Sequence, residues 1–493
     1  MARLIWLESN ASLQRCGALA LVMLGLTCAL PAQALPVFAR QTQMACLTCH
    51  TVYPELTHFG RMFKLNGYQL DNLKDITMTT DEGQLTLSMP PIPGLAVFVM
   101  SSYTHIDKPL PDSQIPGVTS QASGWAIPQQ LSLLYGGKIA PHFGAFAQIT
   151  YDDASGTFNI DNTDFRFADN YILPNKDKLT YGLSLNNNPT IQDVWNTTPA
   201  FGWSPQATFV ATETFVPSLA APQIEAATAY NVIGLSPYLM WNDMLYGEVG
   251  VYKPAQIGTA NPITGEPAPL DSTASQVSAG NNIYWRTWYE YDIDRYALEI
   301  GMYGEKFKFY PGSGQNLGGL TNDYNDVAED FTIQFNGEKN SVTLKGTHVH
   351  ESQSLNAFYA QGASNLSDDL NFTEFDLTYY YMRKYGIAIG YENTNGSIDK
   401  TMYGTTPTTV ACTTGSINCV GGVRPVGVTN SINGSPATTN EIFELNYLPW
   451  LNVKLTADYI HYTRFNGNST NYDGLGRNAS DNDTLYVMMW FAF

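Results

Sequence analysis

From Leu95 to the C-terminus, apolar and polar residues alternate with a period of two, the signature of half-buried strands. "LNVKLTADY" sets Val453, Leu455 and Ala457 against Lys454, Thr456 and Asp458. In "DFTIQFNGEKNSVTLKGTHVH", Phe331, Ile333 and Phe335 lead into an Asn-Gly turn region, and Val342, Leu344 and Gly346 return. "FTEFDLTYYYMRKYGIAIGYE" repeats the pattern around a short turn near Lys384. Upstream the period differs. "PELTHFGRMFKLNGY" carries Leu56, Phe59, Phe63 and Leu65 near helical spacing, with Gly67 as a stop signal. "SMPPIPG" near residue 90 is a Pro-rich junction between the two regimes.

Alternation alone suits a soluble sandwich as well as a barrel. Three features favour an all-β outer-membrane barrel. The strand pattern runs on without a helical layer or a second core. Short turns alternate with long Gly-, Pro-, Thr- and Asn-rich loops, such as 254–281 and 400–440. The chain ends "TLYVMMWFAF", with Leu485, Val487, Met489, Phe491 and Phe493 on one face, which resembles the terminal strand by which such barrels are recognised for assembly. At roughly 25 residues per strand and connection, about 16 antiparallel strands are expected.

Composition agrees. Only 14% of the 493 residues are charged and 13% are aromatic, 30 of them Tyr. The formal charge of −19 gives nucleic acid no basic surface to bind. Arg3 and Arg15, the apolar run "GALALVMLGLTCALPA" and the small-x-small site Ala32-Gln33-Ala34 read as a signal peptide over 1–34. A helical segment and linker at 35–90 and a barrel at 91–493 complete the expected division. Four Cys remain after cleavage, and an exported chain requires an explanation for each pair.

Cys46, Cys49 and His50 form Cys-x-x-Cys-His, the spacing that attaches a c-type haem through two thioethers and offers His50 to the iron. In an exported chain with no second Cys pair nearby, zinc is the weaker reading. One covalent haem c is expected, with His50 proximal. For the distal side Met89 is the favoured candidate, far enough along the chain to round the haem edge. Met62, Met78, Met100, His105, His348 and His350 are looser ones, and Met44 is too close to the attachment site to cross the porphyrin easily. Arg40, Arg61 and Lys64 are candidate partners for the haem propionates. Cys412 and Cys419 are expected to close a disulfide in an outer loop. His348 and His350 share one side of a strand, where lumen lining is the expected role.

The blocks "PVFARQTQMACLTCHTVYPELTHFGRMFKLNGYQL", "QQLSLLYGGKIAPHFGAFAQITYDD", "FNIDNTDFRFADN" and "YGLSLNNNPTIQDVWNTTPAFGW" resemble a known family. It is the fused monohaem cytochrome–porins of bacterial outer membranes, related to outer-membrane iron oxidases. The resemblance covers 36–70 and much of 129–203, and beyond that extends only to barrel character. It implies haem c on Cys46 and Cys49, with His50 as axial ligand, in a small plug at or inside the barrel. Relatives commonly have Gly at the position of Gln43 and Pro at that of His58, so a distal ligand shared across the family is not His58. The later blocks look closer to a general branch than to the established iron oxidases.

The expected role is electron transfer across the outer membrane, between an extracellular donor and a periplasmic cytochrome or other carrier. Iron(II) is the donor favoured, which would make the chain an iron(II):cytochrome c oxidoreductase. The alternative is a solute-transporting porin with a sensory or gating haem module.

Overall fold

The computed structural model describes residues 36–70, 75–109, 122–152, 157–199, 220–225, 232–254, 276–311, 319–404, 409–411, 423–425 and 431–493. The leader at 1–34 and the Cys412–Cys419 pair lie outside these residues.

The helical segment forms as three short helices, α1 (Pro36–Thr42), α2 (Cys46–Cys49) and α3 (His58–Leu65). Thr57 caps α3, its hydroxyl accepting from the Gly60 N–H at 3.2 Å. At the other end the Gly67 N–H donates to the Lys64 carbonyl and the Tyr68 N–H to that of Phe63. This is a Schellman close, which requires the left-handed φ of +71° at Gly67. Residues expected to form only a linker instead fold as an exposed hairpin, β1 (Ile76–Thr79) on β2 (Leu85–Met89).

The barrel begins with β3 (Leu95–Ile106), β4 (Ser123–Ala140), β5 (Phe143–Asp152), β6 (Thr157–Ile172), β7 (Lys178–Asn186), β8 (Val232–Trp241) and β9 (Leu245–Pro254). A three-residue strand, β10 (Gln276–Ser278), pairs with the far end of β12. The wall continues with β11 (Asn282–Ile293), β12 (Tyr296–Pro311), β13 (Asn322–Asn336), β14 (Asn340–Ser354), β15 (Ser367–Tyr381) and β16 (Tyr385–Gly396). After a small loop hairpin of β17 (Thr409–Ala411) and β18 (Val423–Pro425), it ends in β19 (Thr438–Trp450), β20 (Val453–Arg464) and β21 (Thr484–Ala492). Each wall strand is antiparallel to its neighbours, β9 pairs with β11, and β21 returns to β3. Sixteen strands therefore close the ring, leaving no unpaired edge to be buried in lipid.

The expected register is met: Phe335, Ile333 and Phe331 face Val342, Leu344 and Gly346. The apolar face of each strand points outward. On β8, Ile233, Leu235, Leu239 and Trp241 are exposed, while Ser236, Tyr238 and Met240 are buried inside. Leu485, Val487, Met489 and Phe493 of the last strand also face out. An apolar exterior around a polar interior matches lipid outside, and the chain is a barrel of the bacterial outer membrane. Exposed Tyr171, Trp241, Tyr296, Tyr385 and Trp450 stand beside the short turns, as an interfacial aromatic belt does. By the rule that short turns face the periplasm, these turns mark the periplasmic mouth.

Candidate functional site

The helical segment lies inside the barrel at that mouth and packs with the wall as one unit. Glycines make its seat. A Cβ on Gly144 would stand 1.8 Å from the Gly67 carbonyl oxygen, and one on Gly136 would stand 2.4 Å from Val37. The plug backbone thus rests directly on β4 and β5, where any side chain would lift it away.

Polar contacts fix the opposite side. Arg61 is fully buried, with its guanidinium 3.6 Å above the Trp195 ring. It pairs with Glu290 of β11, donates to the Leu56 carbonyl at 2.7 Å, and reaches Gln334 at 3.1 Å. Glu55 meets Lys345 of β14 at 2.7 Å. Tyr68 donates to Asp164 at 2.6 Å, and Tyr238 to the Leu65 carbonyl at 2.5 Å. Lys64 donates to the Asp193 carbonyl at 3.1 Å, and burial, with Arg166 nearby, lowers its amine to about 8. Arg40 donates to the Leu95 carbonyl at 2.5 Å. The three cations expected at haem propionates therefore all reach barrel or plug acceptors.

Cys46 and Cys49 sit on the single turn of α2, half-buried, with their sulfur atoms not bonded to each other. Burial raises both thiols, Cys49 to about 11. Reactive dithiols and thiolate metal sites have the opposite shift, so this environment disfavours the thiolate. The next residue, His50, donates its N–H to the Cys46 carbonyl and adopts extended backbone. Its Nδ1 lies 3.3 Å from the Pro54 carbonyl, in place to donate when that nitrogen carries the proton. Burial pulls the imidazole down to about 4, despite hydrogen bonds to the Pro54 and Glu55 carbonyls, so the ring is neutral at neutral pH. α3 locks this turn in place. The Thr57 hydroxyl donates to the Thr48 carbonyl at 2.7 Å, and a Cβ on Gly60 would stand 2.2 Å from the Cys49 oxygen.

Beside His50 lies a small cleft lined by Cys46, Leu47, His50, Val52, Tyr53, Arg383, Leu448 and Leu451. The far wall comes from two short barrel turns. Arg383 is the one cation among the lining residues, held by a bond to Asn336 at 2.8 Å while its buried Nε has no partner among the described residues. Met382 and Arg383 carry φ of +52° and +53°, left-handed values unusual for these residues, in the three-residue turn between β15 and β16. The cleft thus brings together the Cys46 thiol, the His50 imidazole and the Arg383 guanidinium among apolar side chains. Arg383, Leu448 and Leu451 lie more than three hundred residues from the motif, and no local pattern marked them.

The distal candidates are placed elsewhere. Met89 is exposed on β2 and is not among the cleft residues, and Met78 is exposed on β1. Met62 and Met100 are buried in separate apolar clusters. His105 bonds to Ser123 at 2.8 Å. His348 and His350 do not line the lumen as expected. On β14 the buried, inward side belongs to Lys345, Thr347, Val349 and Glu351, so period-two alternation turns both imidazoles outward. There they meet Thr373 and Asn371 on β15.

The upper lumen is acidic. Glu305 of β12, Asp326 of β13 and Glu351 of β14 face inward in register with one another. The N–H groups of Gln223 and Ile224 donate to Glu351 and Asp326, at 2.5 and 2.9 Å. Both oxygens of Glu305 are buried without a hydrogen-bond partner among the described residues.

No protein-family model matches the chain, and no curated protein matches it. Solved structures similar in outline are outer-membrane proteins. A loop-deletion mutant of OmpT from Vibrio cholerae aligns at TM-score 0.42 and 9% identity, over 82% of this chain and 99% of its own. DcaP of Acinetobacter baumannii aligns at 0.40 and 11%, over 81% and 97%. An anion-selective porin from Comamonas acidovorans aligns at 0.42 and 12%, over 82% and 99%. At these values the likeness carries no information on cargo or cofactor.

Proposed function

We propose that this outer-membrane barrel is a plugged, porin-type channel whose plug carries one haem c and gates passage through the lumen. The observation that supports the gate is the position of the plug: it lies within the barrel, held by the buried Arg61–Glu290 pair and the Glu55–Lys345 pair. Cys46 and Cys49 would hold the haem, His50 would ligate its iron, and Arg383 would face its anionic edge. When bound, the haem supplies a one-electron iron couple at the periplasmic mouth. Inward carboxylates favour cations as the solutes admitted. Single-channel conductance in planar bilayers tests the gate. The wild-type barrel should conduct poorly, and Glu290→Gln should open it. Equal conductance in both contradicts the gate.

A second reading is electron transfer, favoured by the placement of the haem motif at the periplasmic mouth below an acid-lined lumen. A reducing cation such as iron(II), drawn in from outside, would give an electron to the haem for a periplasmic carrier. Reduction of haem-loaded protein by external iron(II), in vesicles with the barrel inserted outward, supports this reading. An unreduced haem rejects it.

A further inference from the structure

His58 opens α3 on the plug, and Glu290 and Asp292 stand two residues apart on the inward face of β11. Nδ1 of His58 lies 2.9 Å from a Glu290 oxygen and 2.7 Å from an Asp292 oxygen, and the three donor atoms all fall within 4.8 Å of one another. From these residues we propose a divalent-cation site that clamps the plug to the barrel wall, separate from the haem motif.

The chemistry of the donors sets the class of ion. One imidazole and two carboxylates make a mixed nitrogen–oxygen set suited to manganese(II), iron(II) or zinc(II), and too poor in oxygen for calcium. Bonds of about 2.0–2.2 Å to such an ion place adjacent donors roughly 3 Å apart, close to the separation of Nδ1 from both carboxylates. Their support is already in place. Arg61 bonds Glu290 through Nε at 3.1 and 3.3 Å to its two oxygens and through Nη2 to the oxygen that faces His58, as outer-shell partners orient ligating carboxylates. Access is also provided: the side chains of His58 and Asp292 are 39% and 36% exposed, and the remaining coordination positions open toward solvent. The clamp bridges residues 232 and 234 positions apart in sequence, so the ion would bind the docked plug and not the undocked one. Its affinity is then stabilisation of the docked state.

Manganese(II) is the probe. Haem-loaded, full-length protein stripped with a chelator should bind one equivalent tightly, with electron-spin-echo modulation from a single imidazole nitrogen. His58→Gln should remove that modulation. Asp292→Asn, at a half-exposed strand end, should weaken binding about tenfold or more. Both variants should keep the haem spectrum and the heat-modifiable gel mobility of a closed barrel. Manganese(II) bound without nitrogen modulation in the wild type, or modulation that survives in His58→Gln, overturns the site. Should His58→Gln fail to assemble, the wild-type modulation and the Asp292→Asn affinity decide alone. Neither readout depends on haem chemistry, so failure here leaves the proposed function standing.

Discussion

The contacts that hold the plug and the carboxylates farther up the lumen treat buried charge in opposite ways. The ion pairs that hold and surround the plug are complete: Arg61 with Glu290, Glu55 with Lys345, Arg166 with Asp164. Wall carboxylates outside those pairs are not: Glu248 and Glu299 at the same level have no hydrogen-bond partner among the described residues, and farther up Glu305, Asp326 and Glu351 crowd one another across three strands, with Glu305 unpartnered on both oxygens among the described residues. A paired buried charge fixes geometry, because losing either partner leaves the other stranded. An unpaired carboxylate in a polar cavity attracts a cation or a proton. The paired contacts are therefore built to hold the plug still, and the unpaired wall carboxylates to receive positive charge.

The largest test of this contrast is to break a paired contact. Glu290→Gln leaves Arg61 buried without its counter-charge, which should cost about 3–5 kcal/mol of docking. Limited proteolysis within 36–70 reads this directly, with cleavage rising sharply while the barrel stays intact. The same substitution at Glu305 should leave the plug protected.

Next in size is the glycine seat. Gly144→Val puts a branched side chain where even a Cβ would meet the Gly67 carbonyl at 1.8 Å. Overpacking of this kind costs about 1–3 kcal/mol, and the same proteolysis should show a loosened plug. Gly247→Ala on β9, where a Cβ meets nothing within 4 Å, is the control.

Acid offers a graded version. Asp193 accepts from the backbone N–H groups of Trp195, Thr197 and Thr198 at 2.8–3.0 Å and lies 3.4 Å from Arg286. Burial alone would raise its pKa, but Arg286 and these amides outweigh it and lower the carboxyl. A lowered carboxylate contributes its stability above the unfolded value of 3.8, and that contribution is lost as pH falls through the folded value. Hydrogen exchange of 193–198 should therefore accelerate only in strong acid, below about pH 4. Asp193→Asn should show the faster exchange already at neutral pH.

The smallest effect is expected on the outer face. His348→Ala should change stability by less than about 0.5 kcal/mol and leave conductance unaltered, because the imidazole never enters the lumen.

That last case shows what the sequence could not reveal. Strand alternation was plain at Phe331, Ile333 and Phe335, and so was the pairing of that hairpin. Period two, however, gives two equivalent faces, and only closure of the ring decides which one looks inward. The α3 helix was legible because its signals are local: a Thr cap, apolar spacing and Gly67. The motif Cys46-x-x-Cys49-His50 was legible for the same reason. Glu290, Asp292 and Arg383 were not, since they reach the plug from strands and turns hundreds of residues away. Arg61 was noticed for its charge, yet its partner was invisible until β11 was placed.

The account rests most on the plug being a haem carrier. Its most direct test is the mass of the proteolytic fragment holding Cys46 and Cys49, from protein made in cells equipped for cytochrome c maturation. The account predicts one fragment heavier by a single haem, bound through both sulfurs. A fragment with free thiols, or with Cys46 and Cys49 joined to each other, would contradict it.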